Sequence, residues 1–148
     1  MAYKDVTTTY KETQIKTASQ GQLIIMLYDA AIRHLNSAID ILKLKDNDTK
    51  FHDKIETLSK SVMKAEEIIT ELMVYLDFEQ GGEISQNLFS IYSWFNKELM
   101  EANIAQDVKR MIMVKDQLVE LRNSWNEILG KAKTESVQRE AVGLNIAG

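Results

Sequence analysis

The spacing of apolar residues between Phe51 and Leu76 constrains the fold more than any other feature of the sequence. Apolar side chains recur there every three or four residues, at eight positions without a gap. The positions are Phe51, Ile55, Leu58, Val62, Ala65, Ile69, Leu72 and Leu76. This rhythm predicts a long amphipathic helix packed nearly parallel or antiparallel to its neighbours. Because the sequence contains no proline, nothing interrupts this helix or other stretches of the same kind.

Three further stretches carry the same spacing and predict the other helices of an all-α domain. The first helix is expected from about residue 20 to 44, with the apolar seam Ile25, Tyr28, Ile32, Leu35, Ile39 and Leu42. The third is expected over residues 83–105, with the seam Ile84, Leu88, Ile91, Phe95, Leu99 and Ala102. The fourth is expected from a cap at Asp107 to about residue 129, with the seam Met111, Val114, Leu118, Leu121, Trp125 and Ile128. Short connections between four helices predict an antiparallel up-down four-helix bundle.

The segments outside the bundle differ from it in composition. Residues 1–18 carry few apolar residues, among them Tyr10, and are expected to form an N-terminal arm that docks reversibly. Residues 19–130 are expected to form the helical bundle. Residues 131–148 are expected to be a polar, flexible C-terminal tail, in which the apolar residues from Val137 to Leu144 could form a short extra helix.

Charge and composition exclude several classes of function. The net charge of −4 gives no basic field for nucleic acid. No apolar run approaches the ~20 residues of a membrane span, so no membrane insertion is expected. The N-terminus lacks the pattern of a signal peptide, which favours a cytoplasmic location. The sequence contains no cysteine, which excludes disulfides and thiolate metal sites.

The sequence carries no recognisable catalytic or metal-binding pattern. A di-iron site in a helical bundle needs Glu-x-x-His on two helices. Here Ala31 stands three residues before His34, and Thr49 stands three residues before His52. No nucleophile triad or phosphate-binding glycine loop is present. We therefore expect a protein that is not an enzyme and that uses no cofactor or metal.

Apolar residues remain after the seams of the predicted helices are assigned. They are Leu23, Leu27, Ala30 and Ile41 on the first helix, Phe89 and Met100 on the third, and Val108, Ile112 and Val119 on the fourth. A compact bundle needs only its seams, so this surplus predicts a partner-binding surface for apolar helices or an extended peptide. A broad core or a homodimer interface would account for the same residues.

Several fragments along the chain, in order and spacing, resemble FliS-type flagellar export chaperones. The fragments are Tyr10-Lys11-Glu12, Thr17-Ala18-Ser19, Gln22-Leu23, the run Met26-Leu27-Tyr28-Asp29-Ala30-Ala31-Ile32-Arg33, Gly81-Gly82-Glu83-Ile84, Ala102-Asn103-Ile104, and Leu121-Arg122 with Trp125. The resemblance runs from about Tyr10 to Trp125. Ala30 departs from the glycine that is usual in the family pattern.

The resemblance implies a cytoplasmic chaperone that holds the disordered C-terminal segment of flagellin and prevents its premature polymerisation. It also implies delivery of flagellin to the flagellar type III export apparatus, with contact to a component of the export gate. The arm around Tyr10 would cover part of the binding surface when flagellin is absent. The alternative is a self-associating bundle, a structural homodimer without a flagellin client. We expect a monomer or a weak homodimer.

Overall fold

Four α-helices make up the fold in a computed structural model, which describes residues 20–147. They are α1 (Gln20–Leu42), α2 (Asp48–Val74), α3 (Phe78–Ala105) and α4 (Val108–Ala147). The described residues contain no β-strand. Only residues 43–47, 75–77 and 106–107 separate the helices, so each connection turns the chain back on itself. The predicted all-α, antiparallel four-helix bundle is confirmed.

The chain divides into two compact units. The larger unit, Met26–Glu120, contains most of α1, all of α2 and α3, and the beginning of α4. The described part of the other unit consists of residues 20–25 and 121–147. There, Gly21 permits close packing, because a Cβ atom at this position would lie 2.1 Å from Cδ2 of Leu129. The predicted arm, residues 1–18, lies outside the described residues, and the predicted domain division stays a prediction.

Two tyrosines make a polar contact inside the core of the larger unit. Tyr28 of α1 and Tyr92 of α3 are both buried, and their hydroxyl oxygens lie 2.5 Å apart. Their rings meet edge to face, with centroids 6.3 Å apart. Burial raises the pKa of Tyr92, while the hydrogen bond from Tyr28 acts in the opposite direction. The pair fixes α1 and α3 in one register, because a slip would leave a buried hydroxyl without this partner.

Polar side chains begin three of the helices, as helix N-termini require. The Asn47 Oδ1 atom accepts a hydrogen bond from the Lys50 amide at 3.4 Å. Asp77 Oδ1 accepts bonds from the amides of Glu79 and Gln80, each at 3.0 Å. At the start of α4, the Asp107 carboxylate accepts the amide of Arg110 at 3.2 Å, which confirms the predicted cap.

The start and the seam of α3 differ from the prediction. The helix begins at Phe78, and Gly82 kinks it with φ 48° and ψ −120°. The predicted seam is wrong at Ile84 and Ile91, which are 70% and 36% exposed. Ser85 and Tyr92, each one residue further along, are buried instead. Tyr92 bonds to Tyr28 in the core and Ser85 bonds to the Asp77 carbonyl oxygen at the start of the helix, so the helix can turn these two isoleucines outward.

The fourth helix continues to Ala147, so its predicted end near residue 129 is wrong. Gly130 costs about 1 kcal/mol against alanine in a helix interior, but one such glycine does not end a helix without a left-handed cap or a proline. Gly82 is the one described glycine with positive φ, so Gly130 is not such a cap. The predicted seam is also wrong at Ile128, which is 58% exposed.

Candidate functional site

A side-chain hydrogen-bond network sets the position of α3 against α2, which pack on each other. Asn96 Nδ2 donates to Thr70 Oγ1 at 3.0 Å and to the Glu66 carbonyl oxygen at 3.3 Å. The Thr70 hydroxyl donates to the same carbonyl at 2.9 Å. Asn96 therefore lies opposite the turn between Glu66 and Thr70, midway along the surface where the two helices meet.

Exposed apolar residues flank this network on α3. Phe89 comes seven residues before Asn96, and Met100 comes four residues after it. Residues at these intervals share one face of a helix. Phe89 is 45% exposed and Met100 is 51% exposed. The face of α3 next to α2 therefore carries an accessible apolar side chain on each side of a polar centre.

The adjoining face of α2 repeats the arrangement. Met63 precedes Glu66 by three residues, and Val74 follows Thr70 by four. They are 56% and 75% exposed. Because α2 and α3 are antiparallel, Val74 lies towards the Phe89 end and Met63 towards the Met100 end. We call this surface the α2–α3 groove; it is formed by Met63, Glu66, Glu67, Thr70 and Val74 of α2 and by Phe89, Asn96 and Met100 of α3.

The turn before α3 enlarges one apolar end of the α2–α3 groove. The ring of Phe78, which is 48% exposed, meets the ring of Phe89 edge to face with centroids 6.1 Å apart. This position depends on the kink at Gly82, since ordinary L residues avoid its backbone conformation. The Ser85 hydroxyl donates to the Asp77 carbonyl oxygen at 2.8 Å. A Cβ atom at Gly81 would lie 1.9 Å from Ser85 Oγ, so a larger residue there would displace the Ser85 hydroxyl from this bond.

A cavity of ≈ 350 Å³ lies at the centre of the α2–α3 groove. It is lined by Met63, Glu66, Glu67, Thr70 and Asn96. Glu66 is half-buried, and burial raises the pKa of its carboxyl group. The Oδ1 atom of Asn96 is buried without a hydrogen-bond partner among the described residues. The cavity therefore combines two carboxylates with one apolar wall, and a buried amide oxygen lies in one of its lining residues.

The structure places the sequence-predicted site residues in three environments. Phe89 and Met100 are exposed and lie at opposite ends of the α2–α3 groove. Leu23 and Ile41 are buried, at 8% and 6% exposure, so the expectation of an open flank on α1 is wrong at these two positions. The remaining described positions are half-buried: Leu27, Ala30, Val108, Ile112 and Val119. Tyr10 lies outside the described residues.

Sequence reasoning missed several exposed apolar residues. Met63 and Val74 were not singled out, because the second helix was assigned only its seam. Ile104, which is 78% exposed, lies four residues after Met100 and extends the same side of α3. Met63 follows the seam residue Val62 directly, so its off-seam position was a usable signal.

Arg110 is the centre of the ion-pair cluster that joins the end of α3 to the start of α4. Its guanidinium donates two hydrogen bonds to the Glu98 carboxylate, at 2.9 and 3.0 Å, and another to Glu101. The bond from Arg110 lowers the pKa of Glu98, and the two carboxylates raise the pKa of Arg110. These groups bracket the turn at Gln106, which has φ 52°, so the cluster has a structural explanation.

The described part of the chain offers no group of three or more His, Cys, Asp or Glu residues that could hold a metal ion. Within the same part, no helix is long and apolar enough to cross a membrane. The main chemical feature of the α2–α3 groove is thus accessible apolar surface around a polar cavity, which suits binding of another polypeptide.

The chain is similar to known proteins over most of its length. Residues 2–132 match the family model described as "Flagellar protein FliS". The chain is 34% identical over 121 residues to the flagellar secretion chaperone FliS of Salmonella typhimurium, covering 82% of this chain and 84% of that protein. It is 33% identical over 118 residues to the protein of the same name from Escherichia coli, covering 80% and 82% of the two chains. The chain is 25% identical over 129 residues to the flagellar secretion chaperone FliS of Bacillus subtilis, covering 87% and 90% of the two chains.

Proposed function

Because the chain belongs to the FliS family of flagellar secretion chaperones, which are not enzymes, we propose that it binds the C-terminal segment of flagellin in the cytoplasm. Binding keeps this segment from polymerising before export. The complex then passes to the flagellar type III export apparatus, where a component of the export gate receives it.

The observation that carries the proposal is the exposed apolar surface of the α2–α3 groove. Burying a half-exposed Met or Phe side chain contributes about 1–2 kcal/mol. Several such contacts can offset the roughly 2–5 kcal/mol or more that ordering a disordered segment costs. The four residues at the apolar ends of the α2–α3 groove are Met63, Val74, Phe89 and Met100, with exposures from 45% to 75%.

The sequence-predicted residues outside the α2–α3 groove have proposed roles of different kinds. Leu27 and Ala30 on α1, and Val108, Ile112 and Val119 on α4, are half-buried and could add contacts at the edge of the client. Leu23 and Ile41 are buried in the free chain and are not assigned a direct contact with the client. The arm around Tyr10 competes with flagellin for part of the surface.

Calorimetric titration of the purified chain with a peptide of the flagellin C-terminal segment tests the proposal. We expect one peptide to bind per chain and to gain helical circular dichroism. Absence of binding, with the chain folded, would refute the client assignment.

Light scattering after size exclusion, across a range of concentrations, tests the homodimer alternative. A dimer that resists dilution and ignores the flagellin peptide would support that alternative. Deletion of residues 1–15 should tighten flagellin binding if the arm competes with the client. Unchanged or weaker binding would refute the competition.

A further inference from the structure

We propose that the cavity at the centre of the α2–α3 groove binds a lysine or arginine side chain of the client segment. The cavity thereby selects clients in which one basic residue lies between two apolar anchors. This inference rests on the proposed function for the identity of the client, but its chemistry comes from the cavity itself.

The unused polar atoms that line the cavity are hydrogen-bond acceptors. Glu66 and Glu67 contribute carboxylates. The Thr70 hydroxyl already donates its proton to a backbone carbonyl, and both bonds from Asn96 Nδ2 are directed to α2. Asn96 Oδ1 also lacks a donor among the described residues but is buried, so the acceptors open to a ligand are the two carboxylates. An ammonium group, with three donors and no acceptor, or a guanidinium, with five, complements such a set.

The lining supplies no positive charge of its own. It contains no Lys, Arg or His, and neither Glu66 nor Glu67 forms an ion pair in the described part of the chain. Glu66 is nevertheless half-buried, and partial desolvation raises its pKa. Folding has therefore already removed part of the hydration of this carboxylate. The free-energy cost of desolvating this carboxylate when a cation binds is therefore smaller than for a fully exposed one.

The cavity suits a side chain better than a divalent metal ion. Only two carboxylates line it, and no group of three metal-binding residues occurs among the described positions. Its volume of ≈ 350 Å³ is about ten times the ≈ 30 Å³ that a water molecule occupies in the liquid. The methionine wall can pack along the aliphatic part of a lysine or arginine side chain.

The apolar ends of the α2–α3 groove define where the basic residue must stand. Phe89 lies seven residues from Asn96 and Met100 lies four residues from it on the other side. At a rise of 1.5 Å per residue, the two anchors stand about 10 and 6 Å from the polar centre along the axis. A helical occupant matches these distances with apolar residues seven and four positions from its basic residue, all on one face.

Synthetic helical peptides test this pattern without assuming which residue of flagellin is involved. The probe carries Leu at positions 1 and 12 and Lys at position 8, and its partners carry Gln or Glu at position 8. We expect the full chain to bind the Lys peptide about five- to thirtyfold more tightly than the Gln peptide, and the Glu peptide more weakly still. Raising the salt concentration should weaken binding of the Lys peptide more than that of the Gln peptide.

Variants of the cavity connect this preference to its carboxylates. The double variant Glu66→Gln/Glu67→Gln should bind the Lys and Gln peptides equally, and Glu66→Lys should prefer the Glu peptide. Glu120→Gln is the matched control, because this exposed residue of α4 does not line the cavity. It should keep the preference of the wild type. Circular dichroism should give the same helix content for every variant.

Titration with the flagellin C-terminal peptide, run in parallel, separates this inference from the proposed function. Equal binding of the Lys and Gln peptides by the wild type overturns the inference, as does failure to bind either. A preference that survives in the double variant also overturns it. Binding of the flagellin peptide in those cases would leave the proposed function in place. If the Lys preference depended on Glu66 and Glu67 but the flagellin peptide did not bind, the cavity would be supported as a site for a basic side chain. The assignment of flagellin as the client would then be refuted.

Discussion

Replacement of Phe89 by alanine tests how much the apolar ends of the α2–α3 groove contribute to client binding. Phe89 is 45% exposed in the free chain. Since a phenylalanine buries about 200 Å² when fully covered, roughly 90 Å² remain for a client to cover. At about 25 cal/mol per Å², this area contributes about 2 kcal/mol. Alanine retains part of the contact, so Phe89→Ala should weaken binding about five- to thirtyfold.

The same substitution also lowers the stability of the free chain. Phe89 loses its edge-to-face contact with Phe78, a type of contact that contributes about 0.5–1.5 kcal/mol. The covered part of the ring, roughly 110 Å², adds to this loss at about 25 cal/mol per Å², so the free energy of unfolding, measured by urea titration, should fall by about 2–4 kcal/mol. Calorimetric titration with the flagellin peptide, under conditions where the variant is fully folded, measures the binding effect separately.

Ile91→Ala provides the control on the same helix. Ile91 is 36% exposed, and two residues along a helix place it about 200° around the axis from Phe89. Its truncation should leave affinity for the flagellin peptide within about twofold of the wild type. An equal loss for both variants would refute the reasoning, and so would an unchanged affinity for Phe89→Ala.

Three further predictions concern the fold. Tyr92→Phe removes the hydroxyl bonded to Tyr28 in the core and should lower the unfolding free energy by about 1–3 kcal/mol in urea titration. Arg110 lowers the pKa of Glu98 in the folded chain, so this carboxylate stabilises the fold above its unfolded pKa of 4.5, and the contribution is lost as the pH falls further. Wild type should thus lose more stability than Glu98→Gln on acidification below pH 4.5. Gly82→Ala should lower the unfolding free energy by about 1–3 kcal/mol, because alanine is strained at a φ of 48°. A steric clash does not contribute, since an added Cβ atom meets no neighbouring atom.

Each of these predictions has a matched comparison. Restoring stability by adding Tyr28→Phe to Tyr92→Phe would show that breaking the bond between the two hydroxyls causes the loss of stability, and a purely additive loss would contradict it. If the stability difference between wild type and Glu98→Gln did not change with pH, the proposed link between the pKa of Glu98 and stability would be contradicted. Gly130→Ala, in the regular part of α4 with open space at Cβ, should raise the thermal midpoint. If Gly130→Ala lowered the thermal midpoint as Gly82→Ala does, the difference between the strained and the regular glycine position would be refuted.

The helical rhythm of the sequence was sufficient to predict the fold class. The seam from Phe51 to Leu72 is buried at every position except Ile55, which is half-buried, because a periodic apolar stripe must pack against its neighbours to leave water. The same reasoning was wrong at Ile84 and Ile91. Periodicity gives two nearly equal choices for a helix with apolar residues on several sides, and the hydrogen bonds of Ser85 and Tyr92 select between them.

The candidate site was predictable only in part. Phe89 and Met100 were found because they lie off the seam of their own helix, and off-seam position is a property of the local sequence. Met63 and Val74 come to lie beside them only because α2 packs against α3, and the apolar pattern of a single helix cannot predict that pairing. Leu23 and Ile41 show the opposite case, because surplus apolar residues on α1 are buried.

The sequence by itself determined the class of fold, the number of helices and the family, because these depend on periodic apolar spacing and on the order of local motifs. Tertiary structure decided which surplus residues stay exposed and how far α4 extends. It also brought Glu66, Thr70 and Asn96 into one network across two helices. The physical reason is that burial and side-chain pairing are properties of neighbours distant in sequence, whereas helical periodicity is a property of neighbours three and four residues apart.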